Sequence, residues 1–162
     1  MKVSTTEVFR CPVEKYFEEY FNPEGRHRRV VGAGGVSFTA KEVRREAPEW
    51  TMRAELVEKL NAPAAIRKLF GETNRFEEES RWVVGTRMIE VKVRPDRMRD
   101  KLSIQMRYQM ESLADGTCRV TLEMDIQARI FGIGGLVEKM AAKEMPHAFS
   151  KDAAFFNAHL VG

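Results

Sequence analysis

The chain has 162 residues, 43% hydrophobic and 31% charged, with a formal net charge of +3, the balance of an ordinary globular protein long enough for one domain (1–162) and short for two. No run approaches the eighteen or so consecutive apolar residues that a membrane-spanning helix needs. The two signs of charge are mixed, so no electrostatic field argues for nucleic acid as a partner.

The first residues, Met1 to Glu7, carry no apolar h-region and no small-residue cleavage site, which leaves the cytoplasm as the default location. Residues 2–10 then alternate, with Val3, Thr5, Glu7 and Phe9 on one side, and predict a strand. Cys11-Pro12 stops it, and Pro12 suits a helix start because its missing N–H would have no partner there. The helix runs from Val13 to about Phe21, burying Tyr16, Phe17, Tyr20 and Phe21. Asn22-Pro23-Glu24-Gly25 ends it, and a weaker helical segment follows to Val31. Within that segment lies the densest basic run, Arg26-His27-Arg28-Arg29. A solvated helix face is the simpler reading of it, and contact with a phosphate or an acidic partner is the functional one. No aromatic residue is interleaved to stack bases.

Gly32-Ala33-Gly34-Gly35 turns the chain into a period-two pattern. Strands are expected at 36–46, 49–58, 73–83, 87–94, 101–112 and 117–129, separated by turn signals such as Ala47-Pro48, Arg94-Pro95-Asp96 and Ala114-Asp115-Gly116. Residues 63–71 read as an apolar loop or a short helical turn. The strongest alternations are Leu102, Ile104, Met106, Tyr108, Met110 and Val120, Leu122, Met124, Ile126. A sheet dry on one face and wet on the other is antiparallel, with something covering the dry face. The cover is the last element, a helix over about 133–160 with the stripe Val137, Ala141, Met145, Phe149, Ala153, Phe156 and Leu160. Pro146 lies inside it and is expected to kink or open it locally, so that it follows a curved sheet or gates a cavity.

The segment Cys11-Pro12-Val13-Glu14-Lys15-Tyr16-Phe17, followed by Asn22-Pro23-Glu24, resembles the opening Ala-Pro-x-Glu-x-Val-Trp…Asp-Pro-Glu of the START-like (SRPBCC, helix-grip) superfamily. Residues 63–71, the strand Arg75-Phe76-Glu77-Glu78-Glu79 and the ending Gly134-Gly135-Leu136-Val137-Glu138-Lys139 are similar to an uncharacterised bacterial branch of it. The resemblance implies an α+β helix-grip fold: a curved antiparallel sheet of about seven strands around a long C-terminal helix, with short helices after the first strand. It also implies an internal cavity that in relatives holds lipids, sterols, polyketides or hormones, and it brings no catalytic residues with it.

On that fold the expected ligand pocket is lined by Glu7, Trp50, Met52, Phe76, Glu78, Trp82, Met106, Tyr108, Met124, Met145 and Phe149. Nine methionines, several on the inner face, can repack around variable apolar ligands or simply fill an irregular core. Glu7 and Glu78 turn inward under strict alternation, whereas a one-residue slip or a bulge would turn them to solvent. The flanking Glu77 and Glu79 favour a solvated run. By the resemblance, segments 22–35 and 61–71 flank the mouth as movable lids, with Arg26, Arg28, Arg29, Ile66 and Phe70 there to meet an anionic head group.

The histidines His27, His147 and His159 have no metal-ligand spacing, and Cys11 and Cys118 are expected as reduced structural thiols. No metal or cofactor is expected. The glycine runs lack the strand and helix context of a dinucleotide site. The expected function is non-catalytic binding of an apolar small molecule such as a lipid, isoprenoid or polyketide. The alternatives are an aromatase/cyclase-like enzyme using inward Glu7, Glu78 or Tyr108, and a protein-interaction module with a filled core.

Overall fold

Period-two alternation resolves into seven strands: β1 Lys2–Phe9, β2 Ser37–Glu46, β3 Glu49–Lys59, β4 Thr73–Val83, β5 Met88–Pro95, β6 Leu102–Ser112 and β7 Cys118–Ala128. They form one antiparallel sheet of order β1-β7-β6-β5-β4-β3-β2. The helices are α1 Val13–Tyr20, α2 Pro23–Gly32, α3 Ala64–Phe70 and α4 Gly134–His159. This computed structural model describes residues 1–160, so the last two residues of the range 1–162 lie outside it. The architecture is the α+β helix-grip expected above. The uncertain stretch 63–71 takes its helical form as α3.

Register fixes which residues face inward. Val3 pairs Met124, Met124 pairs Met106, Met106 pairs Val91, Val91 pairs Ser80 and Ser80 pairs Met52. That row crosses six strands on the inner face, because side chains keep their parity across a ladder. On the outer face the charges pair across strands, as in Arg107–Glu123 at 4.0 Å and Arg53–Glu42 at 3.9 Å. In β2 the ladder slips between Ala40 and Glu42, leaving Lys41 as the extra residue of a bulge.

The stripe on α4 lands as expected, with Val137, Met145, Phe149, Ala153 and Phe156 buried, and the helix continues through Pro146. Both ends of α4 are pinned. Near its C-terminus Asn157 bridges β1, accepting from the Arg10 N–H at 2.8 Å and donating to the Val8 carbonyl at 2.9 Å. Phe9 then interlocks with Tyr16 of α1 and Phe156 of α4, at ring separations of 4.9 and 5.1 Å. At the N-terminus Gly134 is buried against β7, and a Cβ there would collide with the Ala128 carbonyl oxygen. No helix of the described residues is long and apolar enough to cross a membrane.

Gly134 gives a clean test of packing against propensity. Alanine is favoured over glycine in a helix by up to ~1 kcal/mol, whereas forcing a methyl into a filled contact costs about 1–3 kcal/mol. Gly134→Ala is therefore expected to lower the midpoint of urea unfolding. A raised midpoint would show that the approach of α4 to Ala128 is not tight.

Candidate functional site

The chain has three tyrosines, and all three meet inside. Helical spacing puts Tyr16 and Tyr20 on the buried face of α1, and alternation puts Tyr108 on the inner face of β6. Tyr20 and Tyr108 stand edge to face at 5.4 Å. Tyr20 Oη shares a hydrogen bond of 2.9 Å with Ser80 Oγ on β4.

Two arginines of α2 enter the same interior. Asn22 caps that helix by accepting from the Gly25 N–H, which sets the phase that turns Arg26 and Arg29, three residues apart, to one side. Arg26 is 7% exposed and donates from Nη2 to Glu78 Oε2 at 3.0 Å, its guanidinium lying over the rings of Tyr20 and Phe38. Arg29 is 3% exposed and forks onto Asp152 of α4 at 2.8 and 2.7 Å. Both expectations for the run 26–29 are corrected here. Only His27 and Arg28 face solvent, while Arg26 and Arg29 are buried anchors and not mouth cations. The mouth residues Ile66 and Phe70 are buried too, so α3 is pinned by its own side chains.

Glu78 is likewise not part of a solvated acidic run: alternation holds, and its carboxylate is inward and paired. Glu7 also lies on the inner side, between the rows of Thr5 and Phe9, and is half-buried. Trp50, Met52, Phe76, Trp82, Met106 and Met124 all have inward parity, with Met52 and Met124 buried and the others half-buried. Met145 and Phe149 are buried on α4. Phe17 stacks on Trp82 at 4.0 Å, and Phe21 meets Trp50 edge-on at 5.8 Å.

A residue absent from the expected set is Glu58. It continues the parity of Trp50, Met52, Ala54 and Leu56, which marks it as inward. Burial, with a smaller contribution from Glu78, pushes its carboxyl up to about 7. Burial pushes the phenols of Tyr20 and Tyr108 up as well, against the pull of Arg26, so both stay protonated donors at neutral pH. For Arg26, burial opposes the charge, but the Glu78 carboxylate paired with it and the face of the Tyr20 ring beside it hold the guanidinium cationic. Three buried polar atoms of the cluster, Arg26 Nη1, Arg29 Nη1 and Tyr16 Oη, have no hydrogen-bond partner among the described residues. The interior is thus rich in donors, and Glu58 is the group there that exchanges a proton near neutrality. No group of His, Cys, Asp and Glu among the described residues is arranged to hold a metal.

A separate concavity lies on the other side of the sheet. A trough of about 950 Å³ runs over the outer face, walled by Lys92, Glu90, Arg107, Glu123 and Arg53. Its walls include the outer-face pairs Arg107–Glu123 and Arg53–Glu42 and no helix contributes to it, so it is a solvated trough between rows of long side chains.

A family model described as "Protein of unknown function (DUF2505)" matches residues 4–160. No curated protein matches. Among solved structures, a Thermus thermophilus protein superposes with a TM-score of 0.70 at 16% identity, over 98% of each chain. A START superfamily protein from Mycobacterium smegmatis gives 0.69 at 13%, over 99% of each. The aromatase/cyclase Zhui from a Streptomyces species gives 0.68 at 10%, over 100% of this chain and 96% of the other. At these identities the likeness is one of fold.

Two outcomes test the cluster. Arg26→Met leaves Glu78 buried without its cation and is expected to cost about 3–5 kcal/mol, much of it recovered in Arg26→Met/Glu78→Met. Equal loss in both variants would show that the pair is not a unit. For Glu58, the folded value near 7 lies above the unfolded 4.5. The folded state therefore holds more protons between those values, and stability falls as pH rises through that window. Glu58→Gln is expected to flatten this slope in urea unfolding at pH 5 and 8 and to stabilise the protein at pH 8.

Proposed function

The chain belongs to the family DUF2505, whose description gives no function, and we propose that it binds an apolar small molecule bearing a hydrogen-bond-accepting oxygen, between the sheet's inner face and α4. The observation that carries this reading is a buried donor without a partner among the described residues, Arg26 Nη1, inside an apolar enclosure. A buried donor left unmade costs about 1–3 kcal/mol, which an acceptor on a guest relieves.

The α1 end of the interior is filled by Phe9, Tyr16, Tyr20 and Phe156, all at most 1% exposed. At the other end, where α3 joins β3 to β4, the inward residues Leu56, Phe76, Ile104 and Met106 stay half-buried. An apolar body lies there, with its oxygen toward Tyr108 and Arg26 and with Glu58 at the rim. The solved neighbours support an apolar-ligand reading. A ginseng major latex-like protein shares the fold at a TM-score of 0.64, beside the START superfamily protein. Cys11 and Cys118 are free thiols, which suits a reducing compartment and keeps the cytoplasm as the proposed location.

An aromatase/cyclase-like activity is the second reading. It is favoured by the fold shared with Zhui and by a carboxyl at the inner face that titrates near neutrality, where a general acid/base works best.

Native mass spectrometry of gently purified protein, with displacement of the apolar fluorophore Nile red, tests the binder. A co-purifying mass is expected, together with saturable dye uptake weakened several-fold in Met106→Ala. Neither mass nor saturation would overturn the reading in favour of a filled core. Glu58→Gln separates the two readings once a bound molecule is extracted: a binder keeps its affinity, whereas an enzyme loses turnover while binding survives.

A further inference from the structure

Among the described residues, the turn between β7 and α4 carries the most exposed large apolar side chain. Phe131 at its tip is 104% exposed, so its ring touches nothing in the protein. Such exposure in a loose loop would mean little, but this turn is clamped. The Ile130 carbonyl accepts the Gly134 N–H at 2.8 Å, Gly132 takes φ +81°, and Gly134 sits against the Ala128 carbonyl. Glu138 reaches back to accept the Ala128 N–H at 3.0 Å. The fold therefore holds an aromatic ring out in water when shielding it would be favourable.

Its surroundings are basic. Arg129 lies two residues before it, and the Arg129 N–H bonds the Lys101 carbonyl at 2.7 Å, bringing Lys101 to the same tip. On α4, the helical stripe through the exposed Leu136 carries Lys139 and Lys143. None of these four cations takes part in an ion pair among the described residues. The acids nearby are Asp100, Glu144 and Glu138, the last engaged by the Ala128 N–H.

We propose that the β7–α4 turn is a docking tip for an anionic membrane surface: Phe131 enters the boundary between head groups and acyl chains while Lys101, Arg129, Lys139 and Lys143 meet lipid phosphates. A single projecting ring on a rigid turn suits a fluid interface, which closes around any shape. A protein partner would need a contiguous apolar patch with a matching surface. Aromatic residues favour that boundary, and each cation near an anionic leaflet adds attraction. Because the turn is preformed, little ordering entropy opposes insertion. The proposal stands whether or not the interior takes a ligand.

Co-sedimentation of the full chain with extruded vesicles decides it. Wild type is expected to bind vesicles that are about one-third phosphatidylglycerol and to bind pure phosphatidylcholine much more weakly, with the difference shrinking in high salt. Phe131→Ala is expected to lower partitioning about tenfold. It leaves the thermal midpoint unchanged, because the ring has no contacts to lose. Lys139→Glu/Lys143→Glu is expected to lower partitioning on anionic vesicles by a larger factor, with no effect on neutral ones. Wild-type binding that Phe131→Ala does not weaken, or no binding at all, would overturn the proposal. So would concentration-dependent self-association abolished by Phe131→Ala, which would assign the tip to a second copy of the chain.

Discussion

Two guanidinium groups from one turn of α2 hold the three layers of this protein together. Arg26 reaches the sheet through Glu78 of β4, and Arg29 reaches the C-terminal helix through Asp152. The two pairs tie α2 to both layers, beside the direct contacts that α4 makes with β1 and β7 at its ends. Burying such pairs is costly, and hydrophobic residues of equal volume often do as well or better. What the pairs supply is orientation. A forked guanidinium fixes angle as well as distance, which an apolar contact does not.

The same clamp explains the chemistry of the interior. With Glu78 committed to Arg26, another inward carboxyl, Glu58, is partly buried and faces a negative neighbour, and so holds its proton to about 7. The phenols are kept neutral by burial. The result is a chamber in which donors outnumber free acceptors, an arrangement suited to holding an oxygen atom on an otherwise greasy guest.

Periodicity carried most of the architecture. Period-two alternation located all seven strands, and the step-of-four stripe located α4, because each reports one face buried against a single neighbouring layer. Where α2 was concerned, periodicity failed for a physical reason. Its buried positions are occupied by Arg26 and Arg29, residues whose local signature is that of a wet surface, and their partners lie 52 and 123 residues away. Long-range pairing of this kind leaves no trace in a local window. Glu58 was different: the expected strand 49–58 included it and its parity with Leu56 and Trp50 was readable, but a charged residue at a strand's end carries the signature of a solvated one. Glu78 was legible by alternation and obscured by its acidic neighbours.

The pairing of β1 with β7 has a consequence for how the protein is made. Lys2 finds its partner only at Asp125, and Phe9 finds Phe149 and Phe156 later still. At about 5–20 residues per second on the ribosome, the first strand waits on the order of ten seconds before its ladder can close. Arg29 waits just as long, hydrated, until Asp152 has emerged. The later-synthesised α4 thus licenses burial of the earlier residues of β1 and α2, and a chain stalled before α4 presents an unpaired strand and a set of uncovered aromatic side chains to whatever quality control it meets.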